Sequence, residues 1–253
     1  MPVPAIPKTE GQLLEVFSSI QGEGLLIGWR QIFIRMALCN RHCRYCDTPF
    51  DPADSCRIED APGSGNFRDM GNPVSLEVLT AILGEWISRG RGLHHSISLT
   101  GGEPLLQAEV LGTWLPVLKN LLPVHLETNG TLPDALGPLL PYFDWISMDI
   151  KLASQTGQET PWKMHEEFLR LAGQVTCSVK VVVGENTPTD EIEQAARLVN
   201  KVAPETSLIL QPVTEGGRIG ITAAALLALQ AGASKIHPRV QVIPQTHRFI
   251  GLL

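Results

Sequence analysis

The chain has 253 residues, of which 43% are hydrophobic; this is enough for one substantial core, and the length favours one α/β domain over two small ones. A net charge of −6 and an isoelectric point near 5.6 argue against a broad phosphate-binding face, so we expect no nucleic-acid partner. No apolar run has the length of a membrane span, and the start, MPVPAIPKTE, lacks the order of a secretion signal. We therefore expect a cytoplasmic protein with no membrane partner.

Strand-like and helix-like segments alternate along the chain. Runs that predict strands occupy residues 31–39, 94–99, 124–128, 145–151, 175–183 and 206–213, and helical periodicity marks 75–90, 111–122, 164–173, 189–202 and 221–236. Apolar strands that alternate with helices are typical of a parallel sheet covered by helices. About six such units are too few for a closed eight-unit barrel. We predict an α/β fold, an open partial (β/α) TIM-like barrel of about six parallel strands.

Residues 51–74 separate the first strand from the first long helix. They are rich in Gly, Pro, Asp and Ser and have no periodicity, which predicts a long loop. A loop of that length in a compact domain is usually functional, such as a lid, or mobile. Ser75 is expected to cap the helix that follows.

Three of the five cysteines lie within eight residues, in the pattern Cys-x3-Cys-x2-Cys, after the first predicted strand. Cys39, Cys43 and Cys46 could wrap one chain segment around an iron–sulfur cluster, with one iron left open to a small molecule. Zinc normally needs four protein ligands, usually as two separated pairs, and no second pair is present. Cys177 falls in an apolar run and is expected to be a packed, inert thiol. Cys56 could be a fourth ligand or have no role, and we favour no role.

The segment TGGEPLLQ, residues 100–107, follows a predicted strand. Its two glycines allow a ligand to approach the backbone closely, and Glu103 could accept a hydrogen bond from an ammonium group. Ligand groups gather at the carboxyl ends of parallel strands. The polar residues that follow later strands are therefore site candidates, although each could simply cap a strand end: Glu127, Asn129, Asp149 and Lys151.

Together, the cysteine triad and the later Gly-Gly-Glu resemble the radical S-adenosylmethionine superfamily. The resemblance implies that the open iron binds the amino and carboxylate groups of S-adenosylmethionine, which is cleaved to methionine and a 5′-deoxyadenosyl radical. It also puts Tyr45 near the adenine. The cofactor-binding residues that it implies are Tyr45, Cys46, Asp47, Gly102, Glu103, Asp149, Ile150, Lys151, Gln211, Pro212, Val213 and Thr214.

Residues 15–50, which contain SIQGEG and CDTPF, resemble the 7-carboxy-7-deazaguanine synthase family more narrowly. The resemblance continues through TGGEP, ETNGT, SMDIK, QPV and the terminal QTHRFIGLL, whereas residues 51–74 do not match well. It implies a carbon–nitrogen lyase that converts 6-carboxy-5,6,7,8-tetrahydropterin to 7-carboxy-7-deazaguanine. The implied reaction is a Mg²⁺-dependent radical ring contraction with loss of ammonia, in the 7-deazapurine (queuosine) pathway.

The same resemblance implies a substrate site. Arg35 would pair with the substrate carboxylate in bidentate fashion, the alternative for an arginine in an apolar strand being a buried salt bridge. Thr48 would offer its hydroxyl to Mg²⁺, whose other ligands would be water and substrate oxygens. With the three cysteines, Arg35 and Thr48 are the predicted catalytic residues. The implied substrate-binding residues are Ile20, Gln21, Gly22, Glu23, Arg35, Thr100, Glu127, His247 and Leu253. The other histidines are expected to be structural.

We expect one radical S-adenosylmethionine domain over residues 1–253, with a loop insertion at 51–74 and a substrate-clamping tail at about 240–253. The implied cofactors are one [4Fe-4S] cluster, S-adenosylmethionine and Mg²⁺. The implied partners are the pterin, a flavodoxin- or ferredoxin-type reductant and a second copy of the chain. Two alternatives remain. A glycyl-radical activating enzyme would share the triad but lacks support, because no ferredoxin-like cysteine set is present. An electron-transfer or zinc module would need four ligands.

Overall fold

The computed structural model describes residues 9–46 and 48–252, apart from the side chain of Glu215. Its strands are β1 (Glu10–Gly11), β2 (Leu13–Ile20), β3 (Arg30–Met36), β4 (Ser55–Glu59), β5 (Phe67–Gly71), β6 (Val74–Ser75), β7 (Ser96–Gly101), β8 (Val124–Thr128), β9 (Trp145–Ile150), β10 (Thr176–Val183), β11 (Ser207–Pro212), β12 (Thr214–Glu215), β13 (Arg218–Ile219) and β14 (Val240–Val242). Its helices are α1 (Leu76–Arg89), α2 (Ala108–Leu121), α3 (Pro133–Leu136), α4 (Ala153–Thr156), α5 (Trp162–Ala172), α6 (Thr189–Val202), α7 (Ala223–Ser234) and α8 (Thr246–Phe249). Within these described ranges, no helix is long and apolar enough to span a bilayer.

The main sheet has ten strands in the order β14-β11-β10-β9-β8-β7-β3-β2-β4-β5. From β3 to β14 every neighbouring pair is parallel, which makes a run of seven strands joined by helical crossovers. β2 pairs antiparallel with β3, and the two ends of the sheet do not pair with each other. The predicted open partial barrel is confirmed, and the cysteines follow β3, the first of its parallel strands.

The two faces of the sheet differ in polarity. Along β9, Ile146, Met148 and Ile150 are buried in the apolar core beneath the helices, whereas Ser147 and Asp149 line a pocket on the opposite face. This alternation follows from the two-residue period of a strand. The outer face therefore stabilises the fold by hydrophobic burial, and the inner face is left free for polar side chains.

Ser75 caps α1 as predicted. Its hydroxyl accepts a hydrogen bond from the backbone N–H of Val78 at 3.3 Å, which satisfies one of the unpaired donors of the first turn. The helix buries Leu79, Leu83 and Trp86 in the core. This anchors the polypeptide immediately after residues 51–74.

The prediction of a long loop over residues 51–74 was wrong. β4 and β5 form an antiparallel hairpin, and β4 extends the main sheet by pairing in parallel with β2. Cys56 and Ile58 are buried in the core, while the alternating residues Ser55 and Arg57 are exposed. In this five-residue strand only alternate residues face the core, so few of its residues are apolar and the sequence pattern is weak. Cys56 has the apolar environment expected of a thiol with no ligand role.

Candidate active site

A pocket lies on the inner face of the sheet, at the carboxyl ends of the parallel strands. Its cavity volume is about 250 Å³, just below the roughly 300–1,000 Å³ of typical small-ligand sites. The sequence-predicted residues that line it are Ile20, Gln21, Gly22, Glu23, Arg35, Cys39, Cys43, Tyr45, Cys46, Thr48, Thr100, Gly102, Glu127, Asn129, Asp149, Lys151, Gln211, Val213, Thr214 and His247.

Five other predicted residues are not in the described wall of this pocket. Ile150 packs in the apolar core on the opposite face of β9, so its side chain points away from the pocket. Pro212 and Glu103 are buried outside the lining. Asp47 and Leu253 lie outside the residues that the structure describes.

The cysteine loop, residues 38–50, closes on itself directly after β3. The backbone N–H of Leu38 donates to the carbonyl of Phe50 at 2.7 Å, and that of Cys46 donates to the carbonyl of Cys43 at 3.0 Å. Cys39 and Cys43 are half-buried, and Cys46 is exposed. Burial raises the pKa of Cys39 and of Cys43. The loop thus presents its three thiols to one pocket.

Residues 9–46 and 48–252 contain no group of three His, Cys, Asp or Glu side chains arranged to hold a single metal ion. A four-iron cluster does not require such a group, because each of three irons takes one thiolate.

The Gly-Gly pair allows β7 to end against the cysteine loop. A Cβ on Gly102 would lie 1.9 Å from the carbonyl oxygen of Leu38, and one on Gly101 would lie 2.4 Å from that of Met36. Gly101 also has a φ of 105°, which favours glycine. The backbone N–H of Gly102 donates to Met36, and that of Glu103 donates to Leu38. The pair therefore fixes the start of the cysteine loop.

Glu103 does not have the environment expected for a ligand of an ammonium group. Its oxygens accept hydrogen bonds from the backbone N–H of Leu105 at 3.1 Å, that of Asn129 at 2.7 Å and the hydroxyl of Thr128 at 2.9 and 3.0 Å. Burial raises its pKa to about 7, against the lowering effect of these donors. The carboxyl group thus braces the loop after β8 from within the protein.

Three charged side chains that are at most 17% exposed form a charge bridge at the wall of the pocket: Glu23, Lys180 and Asp149. The Lys180 ammonium lies 2.5 Å from Glu23 Oε2 and 3.4 Å from Asp149 Oδ2. Lys151 donates to Asp149 at 2.8 Å and to the Tyr45 hydroxyl at 3.1 Å. The bridge thus connects the segment after β2 to the cysteine loop.

Two residues that line the pocket each carry a buried acceptor atom without a partner among the described residues. Asp149 Oδ1 and Gln211 Oε1 have no hydrogen-bond partner in the part of the chain that the structure describes. The two residues are 8% and 3% exposed, and a buried acceptor without a donor is costly. The two atoms fit a ligand that supplies hydroxyl or ammonium donors at this wall, as S-adenosylmethionine would.

Gln21 and Glu127 are fixed to each other at the floor of the pocket. The Gln21 amide donates to Glu127 Oε1 at 2.9 Å and to Gln31 at 3.0 Å, and the Ser98 hydroxyl donates to the same Glu127 oxygen at 2.8 Å. Gln21 also accepts from the backbone N–H of Glu23 at 3.0 Å. These contacts orient the Gln-Gly-Glu-Gly segment over the sheet.

Arg35 lines the pocket and also belongs to an ion-pair triad. Its guanidinium donates to Glu15 at 2.9 Å and lies 5.0 Å from the centre of the Phe17 ring. Arg57, from the β4–β5 hairpin, pairs with the other oxygen of Glu15. Arg35 was predicted to bind the substrate carboxylate, with a salt bridge as the alternative. The structure shows it in a salt bridge. The triad carries one more positive than negative charge.

The tail after β14 packs against the Gln-Gly-Glu-Gly segment. A Cβ on Gly22 would lie 2.0 Å from His247 Nδ1, so only glycine fits there. The backbone N–H of Thr246 donates to the Gly22 carbonyl at 2.9 Å, and the Gln245 amide donates to Glu23 at 2.7 Å. Burial lowers the pKa of His247. Residues far apart in the chain thus meet at one edge of the pocket.

Comparison with known proteins agrees with these features. The profile of the Radical SAM superfamily matches residues 33–199. The 7-carboxy-7-deazaguanine synthase of Geobacter sulfurreducens is 48% identical over 97% of this chain and 99% of its own length. That of Thermococcus kodakarensis is 34% identical over 95% and 98%. The chain belongs to the 7-carboxy-7-deazaguanine synthase family. The crystal structure of QueE from Escherichia coli has the same fold, with a TM-score of 0.58 over 93% of this chain and 94% of that one, at 21% identity.

As a member of this family, the chain is a radical S-adenosylmethionine enzyme of the lyase class. Its cofactors are a [4Fe-4S] cluster, S-adenosylmethionine and Mg²⁺. The two alternatives from the sequence, an activating enzyme for a protein partner and a zinc or electron-transfer module, are not supported.

Several residues of the pocket escaped the sequence prediction. Lys180 lies in the apolar run VTCSVKVVV, and the argument applied to Arg35 would have found it, because a lysine buried without a partner is costly. Gln245, Ser147 and Ser178 carry no such signal, since polar residues of these types are common on surfaces. Arg57 does not line the pocket but pairs with Glu15 beside Arg35, and it lies in residues 51–74, for which the sequence predicts a loop.

Three of the histidines outside the tail have contacts that agree with the structural roles that were expected. His125 contacts the hydroxyls of Ser98 and Ser147, and His237 contacts the carbonyl of Thr206. His165 lies between the Gly130 carbonyl and the Lys151 N–H. Cys177 is likewise a packed thiol, 8% exposed, and burial raises its pKa to about 12.

Proposed function

We propose that this chain converts 6-carboxy-5,6,7,8-tetrahydropterin to 7-carboxy-7-deazaguanine, with loss of ammonia, by a Mg²⁺-dependent radical ring contraction. One observation carries the proposal. The three thiols of the cysteine loop and the polar set around Gln21, Glu23 and Arg35 line the same pocket, so a cofactor held by the thiols would lie next to a carboxylated, donor-rich ring held by the polar set.

The chain's own residues would position the substrate and exclude water from it. Arg35 would pair with the carboxylate, and the Glu23 and Glu127 carboxylates would accept from the amino and ring N–H groups of the pterin. His247 and the chain terminus would close over the ring, which makes residues from about 240 onward a clamping tail. Thr48 would contribute its hydroxyl to Mg²⁺.

The cofactor would occupy the wall nearest the cysteine loop. When bound there, the cluster and S-adenosylmethionine supply the 5′-deoxyadenosyl radical. Cys39, Cys43 and Cys46 would hold the cluster, and the acceptors Asp149 and Gln211 would bind donors of S-adenosylmethionine. The remaining contacts with S-adenosylmethionine are proposed for Tyr45, Gly102, Lys151, Val213 and Thr214.

Beyond the pterin, two partners belong to the proposal. Radical enzymes of this superfamily need an external one-electron reductant, and we infer a flavodoxin or a ferredoxin. We also infer that the chain is a homodimer. The whole chain would form one radical S-adenosylmethionine domain, and its cytoplasmic location stays a prediction.

Anaerobic incubation tests the function directly. The chain with a reconstituted cluster is mixed with S-adenosylmethionine, dithionite, Mg²⁺ and the tetrahydropterin, and the products are followed by absorbance and mass. We expect 7-carboxy-7-deazaguanine and ammonia in equal amounts. Product formed without S-adenosylmethionine, or none formed with it, would reject the proposal. Thr48→Ala should weaken the response to Mg²⁺, and an unchanged response would remove Thr48 from the site.

A further inference from the structure

Lys180 occupies an unusual position for a lysine. It lies in the middle of β10, where its neighbours Val179 and Val181 are fully buried in the core, while its own side chain reaches the pocket and is only 16% exposed. An apolar residue would fill this position at a lower desolvation cost. A specific electrostatic role therefore explains the lysine better than packing does.

The contacts of Lys180 point to that role. Its ammonium lies 2.5 Å from Glu23 Oε2 and 3.4 Å from Asp149 Oδ2. The other oxygen of Glu23 accepts from the Gln245 amide at 2.7 Å. A carboxylate has about four acceptor sites, so two remain for a ligand after these two contacts. Lys180 and Gln245 thus fix the Glu23 carboxylate without using up its capacity to accept.

The surrounding charges keep Glu23 ionised. Burial alone would raise its pKa, but the Lys180 ammonium lowers it to about 2, with help from Gln245 and His247. Glu23 and Asp149 in turn raise the pKa of Lys180, against the lowering effect of burial and of Lys151. His247 faces Glu23 from the tail, and Arg35 and Arg248 also face His247.

We propose that Lys180 is a positioning residue for the substrate: it holds the Glu23 carboxylate ionised and fixed, ready to accept hydrogen bonds from the amino and ring N–H groups of the pterin. The inference rests on the proposed function and deepens it, because it assigns a role to a residue that need not touch the substrate. Lys180 acts through Glu23 and is not a catalytic residue.

Equilibrium binding tests the proposal without turnover. The tetrahydropterin is titrated anaerobically into the cluster-loaded chain with S-adenosylmethionine present and reductant omitted. We expect Lys180→Met to weaken pterin binding by about 10- to 100-fold, the range for loss of a hydrogen bond to a charged group. The affinity for S-adenosylmethionine should stay within about twofold of the wild type, a change too small for a lost charged contact. Lys180→Arg should restore most of the pterin affinity.

Two further variants control for general effects of the substitution. Lys119 pairs with Asp144 at 2.7 Å outside the pocket, so Lys119→Met removes a lysine ion pair without touching the site. It should bind the pterin as the wild type does. In a Glu23→Gln background, Lys180→Met should cause no additional loss. Lys180→Gln provides the same comparison if the methionine variant fails to fold.

The pH dependence separates positioning from packing. In the wild type Glu23 stays ionised, so its titration does not affect pterin affinity. In Lys180→Met burial remains without the ammonium, the pKa of Glu23 rises above its ordinary value of 4.5, and affinity falls further as the solution becomes more acidic. Lys180→Arg should follow the wild-type profile.

Three results would decide against the inference. Equal pterin affinity of the wild type and Lys180→Met would overturn it. So would a loss confined to S-adenosylmethionine, because Lys180 would then serve the cofactor. Failure of the wild type itself to bind the pterin would instead reject the proposed function, and the inference with it.

Discussion

The two ends of the pocket are built in opposite ways. The cysteine loop comes from one short segment, closed by the backbone hydrogen bond between Leu38 and Phe50. The charge bridge joins side chains far apart in the chain, since Glu23 and Lys180 are separated by 157 positions. Gln245, which also contacts Glu23, is 222 positions away from it. A site within one segment can be recognised from the sequence. A site assembled from distant strands can be recognised only once the pairing of the strands is known.

The ends also differ in how they resist change. The cysteine loop depends on thiol chemistry that no other side chain in the loop replaces. The charged end depends on placement, since its carboxylates and ammonium groups need one another to remain ionised in a buried position. Substitutions at the first end should therefore abolish the activity, while those at the second should weaken substrate binding in degrees.

The largest effect is expected from Cys43→Ala. Removal of one thiolate should abolish the visible absorbance of the cluster and all turnover, because the loop then has only two ligands. Cys177→Ala is the matched control: this thiol is buried in the core, so the variant should keep the cluster and lose only some stability. A brown, active Cys43→Ala protein would sink the cluster assignment.

A large effect on the other end is expected from Gly22→Ala. The new Cβ would lie 2.0 Å from His247 Nδ1, so the tail must move away from the pocket. Misplacement of this size should raise the KM for the pterin by about tenfold or more, with cluster content unchanged. Gly71→Ala, where a Cβ meets nothing within 4 Å, should behave as the wild type does. If cluster content fell together with pterin binding, the two ends would not be independent.

A smaller effect is expected from Arg57→Gln. The triad of Arg35, Glu15 and Arg57 then loses its excess positive charge, and attraction for a carboxylated substrate weakens. The Arg57 side chain is 54% exposed, so we expect the pterin KM to rise only about two- to fivefold. The rise should be smaller at high salt, because salt screens the charges. Arg57→Lys should keep the wild-type KM. Arg68→Gln, which breaks the exposed pair with Asp60 on the same hairpin, should also have no effect. A salt-independent rise in KM would exclude this charge effect.

The last expected effect is on stability in mild acid. His165 accepts from the Lys151 N–H and donates to the Gly130 carbonyl, so only the neutral ring satisfies both contacts. Burial lowers its pKa from 6.5 to about 4. The unfolded chain therefore binds a proton more readily, and the free energy of unfolding should fall as the pH falls from 6.5 towards 4, by up to about 3 kcal/mol. Thermal melting of His165→Gln should show a flatter pH dependence, and an identical slope in both proteins would contradict the assignment.

The helices and parallel strands could be predicted because their periodicity survives in the sequence. The α1 cap at Ser75 and the buried run around Cys177 are examples. The hairpin of β4 and β5 could not, because its strands are short and polar on one side. Glu103 illustrates a different limit. Its position next to two glycines suggested a ligand, but the donors that occupy its oxygens come mainly from the end of β8 and the residue that follows it.

The thiol spacing indicated a cluster, and the resemblance carried by the motifs in their order indicated a radical enzyme of this family, since both depend only on residue identity along the chain. The tertiary structure alone decided which side chains share the pocket. In the fold, Ile150 packs in the core and the oxygens of Glu103 accept hydrogen bonds within the protein. The tail packs against Gly22, and Lys180 pairs with Glu23. The physical reason is that burial and pairing are properties of the folded sheet: the same lysine or carboxylate is structural or functional according to what the neighbouring strands put next to it.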